Sequence, residues 1–265
     1  MHIVVCVKQV PDTANVRINP ETNTLMREGV ESITNPFDEN ALEQALRIKD
    51  SLGARVTVLT MGPPQAEITL REAMARGADD AVLLSDRAFA GADTWATSYV
   101  IAQAVKKFKP TVDLVLFGKQ AIDGDTAQVG PGVSEFLKYP LVTYSRAFDV
   151  QADGRFTAET VMDDRIDVIE GQLPAVVTVV RESAAARYAS LAGWMQARNA
   201  SVKTWGVKSL KAAADLCGLQ GSPTRVVKIF PPAVKSGGTR MDGREMPSAA
   251  VDAVVSLLRD KGVLR

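Results

Sequence analysis

Apolar residues recur along this chain with two alternating periods. Short β-branched runs, "IVVCVK" (3–8), "RVTVLTM" (55–61), "DAVLLS" (80–85) and "DLVLFG" (113–118), are apolar at successive positions, as strands covered on both faces require. Between them lie segments of helical spacing. In "DENALEQALRIKDSLG" the apolar residues Ala41, Leu42, Ala45, Leu46 and Ile48 share a face, and Gly53 ends the pattern. "QAEITLREAMARGA" and "DTWATSYVIAQAVKKF" behave alike. Strand and helix in strict alternation predict an α/β fold with a doubly wound parallel sheet, Rossmann-like in its layering.

Two stretches depart from that rhythm. Residues 16–34 alternate polar and apolar around a turn near Glu21 to Asn23, which predicts a β-hairpin inserted after the first strand. After residue 138 come "LVTYSRAFDV", "GRFTAETVM", "RIDVIEG" and "AVVTVV", a β-hairpin extension closing with a last strand in the sheet. From Arg181 the chain turns Ala-rich, Gly-punctuated and weakly periodic, ending in an amphipathic segment from Ser248 to Lys261. The expected division is a nucleotide-binding domain over 1–182 and a partner-binding arm over 183–265. The arm is expected to need a partner for its order.

Composition removes several functions. At 265 residues the chain is long enough for a full core, and Lys+Arg and Asp+Glu balance at 31 each, so no net field favours nucleic acid or an anionic membrane. Cys6 and Cys217 are far apart, lack metal-ligand spacing and read as buried thiols of a reducing, cytoplasmic compartment. The apolar run at the N-terminus is too short for a signal peptide. No run approaches the roughly 20 residues of a bilayer span.

The stretch "FGKQAIDGDTAQVGPG" (117–132) carries the densest chemistry. It follows a strand end, where doubly wound sheets bind ligands. With a helix starting near Thr126 or Ala127, Asp125 is expected to be its N-cap, and Asp123 with Gly124 to form the preceding turn. The N–H groups of Ala127, Gln128, Val129 and Gly130 then stay open for an anion, and Pro131, which has no N–H, fits the first turn. An acidic surface turn without a ligand remains the alternative on these residues alone. General acid–base work lacks a nearby histidine or lysine to separate the two carboxyl groups, and a calcium loop lacks its further oxygens. "KQVPDT" (8–13), "TNPFDEN" (34–40), "MGPP" (61–64) and "GADTWAT" (91–97) are expected at the same end of the sheet. Neither G-x-G-x-x-G after the first strand nor a P-loop is present, so a nucleotide is held by a different loop set. One histidine, His2, weakens a stand-alone nucleotide-hydrolysing enzyme, the family-independent alternative.

"KQVPDT", "NPFDENALEQALRIK", "GKQAIDGDTAQVGP" and "ARYASLAGWMQAR", in this order, resemble the beta (small) subunit of the electron-transfer flavoproteins over about residues 1–205. The resemblance implies a fold of the nucleotide-binding alpha-hydrolase type and a subunit without catalytic side chains, paired with an alpha subunit that carries a redox FAD. The beta subunit of that family holds either a structural AMP or a second FAD. Gly124, Ala127 and Val129 stand where plain carriers have bulkier polar residues, which is similar to the FAD-binding branch and its electron-bifurcating members. In that branch NADH is the donor, and the acceptors are ferredoxin or flavodoxin and, through the alpha FAD, an acyl-CoA-type or related dehydrogenase.

The cofactor contacts implied are Val7, Gln9 and Asp12 after the first strand, Asn35 and Asp38 at the first helix, Met61 and Gly62 after the second strand, and Thr94 and Thr97. The main loop adds Gly118, Gln120, Ala121, Asp123, Gly124, Asp125, Thr126, Ala127, Gln128, Val129 and Gly130. Asp12 and Asn35 are expected near the adenosine or flavin edge, and the hydroxyls of Thr94 and Thr97 near the diphosphate or ribityl chain. "RESAAARYASLAGWMQARN" (181–199) matches the family's recognition loop, with Tyr188, Leu191, Trp194 and Met195 as docking anchors and Leu191 in the pocket-filling position. Ala184, Ala185 and Ala186 stand where the family often has Asn-Glu-Pro. Packing of the Leu/Trp face on the chain's own core is the alternative for these anchors.

Overall fold

The computed structural model describes residues 1–12, 17–18, 25–26, 32–227 and 238–264. In chain order the elements are β1 (His2–Cys6), β2 (Gln9–Pro11), β3 (Arg17–Ile18), β4 (Leu25–Met26), β5 (Ser32–Thr34), α1 (Pro36–Leu52), β6 (Arg55–Met61), α2 (Glu67–Arg76), β7 (Asp80–Leu84), α3 (Thr94–Lys107), β8 (Leu114–Gly118) and α4 (Val129–Leu137). They continue with β9 (Leu141–Val150), β10 (Arg155–Val161), β11 (Ile166–Gln172), β12 (Ala175–Val179), α5 (Leu191–Asn199), β13 (Lys203–Trp205), α6 (Val207–Leu210), α7 (Gly218–Gly221) and α8 (Pro247–Asp260).

The sheet order is β11-β10-β9-β12-β8-β1-β6-β7-β13. Neighbours from β9 to β13 pair in parallel, and β10 with β11 forms the antiparallel extension at one edge. The alternation of side chains divides the core. Ile3, Val5, Val56, Val58, Leu114 and Leu116 face α1 and α2, whereas Val4, Cys6, Leu59, Val115 and Phe117 face α3 and α4. Every one of these strand residues is buried, which is why the runs read as uninterrupted apolar stretches. Ala41, Leu42, Ala45, Leu46 and Ile48 of α1 are buried in the first of these layers, and Gly53 closes the helix in the left-handed region at φ 68°.

The inserted ribbon is present as β2 paired with β5 and β3 paired with β4, both antiparallel. Its expected turn, Glu21 to Asn23, lies outside the described residues. The expected division falls after residue 182. The compact units are Met1–Val227 and Lys228–Arg265. Residues 183–227 belong to the first because β13 extends the parallel sheet beyond β7 and Ala197 of α5 is buried in it. In the second unit, α8 leaves Val251, Val254 and Leu257 exposed at helical spacing. No helix of the described residues is long and apolar enough to cross a membrane.

Candidate functional site

After β1 the chain winds through β6 to β7 on one side, then returns to place β8 on the other side of β1. The carboxyl ends of β1 and β8 therefore splay their loops apart and leave the crevice in which such sheets hold ligands. The 118–128 loop and the first turn of α1 meet there.

Asp38 joins the two strand ends. Its Oδ2 accepts from Lys8 N–H at 2.8 Å and its Oδ1 from Gly118 N–H at 3.1 Å. Burial drives its pKa up to about 7, against the pull of the Asn35 amide and those two N–H groups. Gly118 is obligatory here: a Cβ would lie 2.5 Å from both Asp38 Oδ1 and the Phe37 carbonyl carbon. Asn35 sits at the N-cap position of α1 and caps nothing with its side chain. Its Nδ2 instead donates to Gln120 O at 2.8 Å, and its Oδ1 accepts from Ile122 N–H at 3.2 Å.

The loop's carboxylates are both engaged within the chain. Lys8 Nζ lies 2.7 and 2.8 Å from the two oxygens of Asp123, and Gln120 Nε2 donates to Asp125 Oδ1 at 2.6 Å. Asp125 is not the cap of the following helix. Asp125 and Ala127 hold φ of 53° and 55°, left-handed values that no helical residue adopts, so α4 starts later, at Val129. Left-handed Ala127 followed by Gln128 at φ −107° curls the backbone into a turn of the kind that gathers N–H groups round an anion. Among the described residues nothing accepts from the N–H groups of Thr126, Ala127, Gln128, Val129 or Gly130. Pro131 falls in the first turn, as its missing N–H favours.

Two helix starts meet at this turn. Ser98 Oγ lies 2.7 Å from Thr94 O and 3.2 Å from Val129 O, tying the first turn of α3 to that of α4. Gly132 permits the approach, since a Cβ there would lie 2.4 Å from Ser98 Oγ. Asp93 caps α3 by accepting from Trp95 and Ala96 N–H, so the positive end of α3 is partly met by its own carboxylate, whereas that of α4 has no such cap. Thr94 and Thr97 lie in that first turn, both partly exposed. Gly124 has open space around its Cβ position, while Gly130 is filled from below by the Thr178 methyl at 2.6 Å.

The remaining expected contacts surround the same end of the sheet. Val7 is buried just past β1, its N–H on Leu59 O, Gln9 pairs with Thr34 in the ribbon, and Asp12 follows β2, partly exposed. Met61 ends β6 and Gly62 donates to Leu84 O, so this pair flanks the crevice one strand away without a hydrogen bond to the main loop. Ala121 accepts from the N–H groups of Gly124 and Asp125 and shapes the turn. Asn35, expected at a ligand edge, is fully buried with its amide on the loop backbone. Lys8 and Ser98 were not among the expected contacts. Lys8 opens the "KQVPDT" motif, which was the signal available, whereas Ser98 is one serine among the polar residues of a helix and carried none. His2 stands at the amino end of β1, away from the crevice, buried with Nε2 2.9 Å from Thr57 Oγ1. Among the described residues no group of acidic, histidine or cysteine side chains forms a metal site.

A second feature lies at 187–199. Gly193 packs α5 against α2 so closely that a Cβ would lie 2.1 Å from Ala75 O. The Ser190 side chain accepts from Gly193 N–H, and Arg71 Nη1 donates to Ala197 O at 2.6 Å, closing the helix at both ends. Arg187 holds the approach through Glu43 and Asp50, each at 2.8 Å. The anchors are left outside: Tyr188 is 99%, Leu191 80%, Met195 64% and Trp194 47% exposed. Packing of this face on the chain's own core is thereby excluded.

Residues 22–210 match the electron transfer flavoprotein domain. The chain is 49% identical over 265 residues, the whole of both proteins, to the caffeyl-CoA reductase-Etf complex subunit CarD of Acetobacterium woodii. It is 46% identical over 265 residues, again the whole of both, to the electron transfer flavoprotein subunit beta of Thermoanaerobacterium thermosaccharolyticum. To protein FixA of Azotobacter vinelandii it is 47% identical over 241 residues, 89% of this chain and 86% of that one. With matches of this length and identity, the chain belongs to the electron transfer flavoprotein family, among its beta subunits.

Proposed function

We propose that this chain is the FAD-binding beta subunit of a cytoplasmic, two-chain electron-transfer flavoprotein. The observation that carries the reading is the run of open N–H groups from Thr126 to Gly130, set in a left-handed turn where two helix starts adjoin. That is a cradle for a diphosphate: open N–H groups and the start of α4 supply the attraction, Lys8 pairs with the Asp123 carboxylate, and Gln120 turns that of Asp125 into a hydrogen bond within the loop. Open space at Gly124 and the small side chains of Ala127 and Val129 let a pyrophosphate approach the backbone N–H groups, which favours FAD over AMP. Bound there, FAD would supply the redox chemistry that the chain's own side chains lack. The protein's part is to bind, orient and shield.

In this reading NADH is the electron donor, and an alpha subunit with its own FAD is the obligate partner. A dehydrogenase of the acyl-CoA type docks on Tyr188, Leu191, Trp194 and Met195. The name of the Acetobacterium relative, which places it in a reductase–Etf complex acting on a CoA thioester, supports that class of partner. Ferredoxin or flavodoxin is the second acceptor, through flavin-based bifurcation. The test is to extract and count nucleotides from the purified heterodimer. Two FAD per heterodimer is the expected result. One FAD with one AMP would keep the cradle and overturn the FAD assignment, and one FAD with no AMP would overturn the cradle.

A further inference from the structure

The cradle's N–H groups serve an anion only while the backbone holds two non-glycine residues, Asp125 and Ala127, in the left-handed region. Such conformations persist where surrounding structure over-determines them. The restraint comes from outside the loop. Asn35 has all of its polar atoms committed: its N–H donates to Lys8 O, its carbonyl accepts from Asp38 and Glu39, its Nδ2 donates to Gln120 O and its Oδ1 accepts from Ile122. It has no exposed surface with which to touch a ligand. Asp38 grips the start of the same loop through Gly118 N–H and the end of β1 through Lys8 N–H. From inside the loop, Ala121 O accepts from Asp125 N–H, and Gln120 holds the Asp125 carboxylate, so a restraint applied at 118–122 reaches the strained turn directly.

We propose that Asn35 and Asp38 are positioning residues: by pinning residues 118–122 to the first turn of α1 across the crevice, they fix the left-handed turn whose N–H groups receive the cofactor's diphosphate. The proposal rests on the cofactor reading above and adds that these two residues act through the loop and not on the ligand. An N-cap residue whose side chain leaves its own helix uncapped to bond another loop is the clearest sign of this role.

The test uses the heterodimer stripped of its beta-site nucleotide and titrated separately with FAD and with AMP. Asn35→Asp keeps the shape but turns an oxygen toward Gln120 O, and Asp38→Asn turns an amide toward one of two N–H donors. Each should weaken whichever nucleotide the wild type binds by about tenfold or more, the worth of one or two buried hydrogen bonds. At saturating FAD, occupancy should return with an altered visible circular dichroism of the bound flavin, a change that loss of stability alone would not produce. Arg155→Met, which removes an exposed pair with Asp153 in the antiparallel extension, should stay within about threefold. Affinities within about twofold of wild type in both buried variants, with an unchanged dichroism, would overturn the proposal. Where a variant fails to assemble, hydrogen exchange of the nucleotide-free wild type decides: the amides of Gly118 and Ile122 should be protected, and exchange at the rate of open chain would overturn it. A wild type that binds neither nucleotide sinks the cofactor reading, and the exchange result still judges the pinning.

Discussion

In the 118–128 loop the side chains of Gln120, Asp123 and Asp125 are engaged within the chain, and the backbone N–H groups from Thr126 onward stay open. At 188–199 the arrangement is inverted. There Ser190 and Arg71 close the backbone of α5, and the side chains of Tyr188, Leu191, Trp194 and Met195 are left in solvent. One region presents main-chain dipoles in a rare conformation, and the other presents apolar area on an ordinary helix. The first is therefore sensitive to charge and to φ, and indifferent to many side-chain identities. The second is sensitive to side-chain volume and indifferent to φ. The two should also be separable, because a change in either leaves the other's supports in place.

The largest effect expected is at the first turn of α4. Val129→Asp sets a carboxylate among the open N–H groups, and repulsion of a diphosphate in a partly desolvated site costs several kcal/mol, roughly 3 or more. The heterodimer should keep only the alpha-subunit FAD, read by flavin count, with dehydrogenase docking intact. Asp125→Asn, by contrast, retains an oxygen for Gln120 and a residue type that tolerates the left-handed region. It should cost about 1 kcal/mol or less and keep both flavins at saturation. Full flavin occupancy in Val129→Asp would erase the distinction between the two regions.

Next comes the anchor. Leu191→Ala should lose about 2 kcal/mol of docking, ~30-fold in affinity for the dehydrogenase, with flavin content unchanged. Electron delivery slowed by less than about twofold in a stable heterodimer would remove Leu191 from the interface.

The smallest effect is a pH dependence confined to the crevice. The folded-state pKa of Asp38 is raised from 3.8 to about 7, so folding favours its protonated form. That contribution to stability is full below 3.8 and is lost as the pH rises through about 7. Thermal melts of the nucleotide-free heterodimer between these limits should fall with pH by a few degrees more in the wild type than in Asp38→Asn. Equal slopes would show that Asp38 does not titrate in this range, its two N–H donors then outweighing burial. The 187–199 region contributes with the opposite sign and only at the acid end: against desolvation, Arg187 holds the Glu43 carboxyl below its ordinary 4.5, so that stabilisation is full above 4.5 and is lost as the pH falls below it, equally in both proteins.

Periodicity alone was enough for most of the architecture. β6 spans Arg55–Met61, the very run read as a strand, and β7, β8 and α1 to α3 fall within a few residues of their expected bounds. A strand buried on both faces and a helix buried on one write their exposure directly into residue type, so these elements are local facts. The antiparallel extension was legible for the same reason, since β10 alternates inward and exposed positions and β11 partly buried and exposed ones. That residues 183–227 share a compact unit with the sheet was not legible, because β13 is short, Lys203–Trp205, and only partly buried, so its place in the sheet depends on β7 beside it and not on its own pattern.

The sequence by itself determined that residues 117–132 form a strand end, a glycine-containing turn and a helix start with few bulky side chains. It determined as well that the apolar residues 188–195 form a cluster. Only the tertiary structure decided what those residues do. That Asn35 and Asp38 serve the loop's backbone follows from contacts between residues eighty or more apart, and those contacts hold the loop in which Asp125 is a left-handed residue bonded to Gln120 and no helix cap. That Leu191 lies outside the core follows from the approach of α5 to Ala75, which Gly193 allows. Local propensity sets which conformations a segment can take. Contacts distant in sequence select among them, and a conformation that propensity disfavours, such as that of Ala127, exists only where such contacts enforce it.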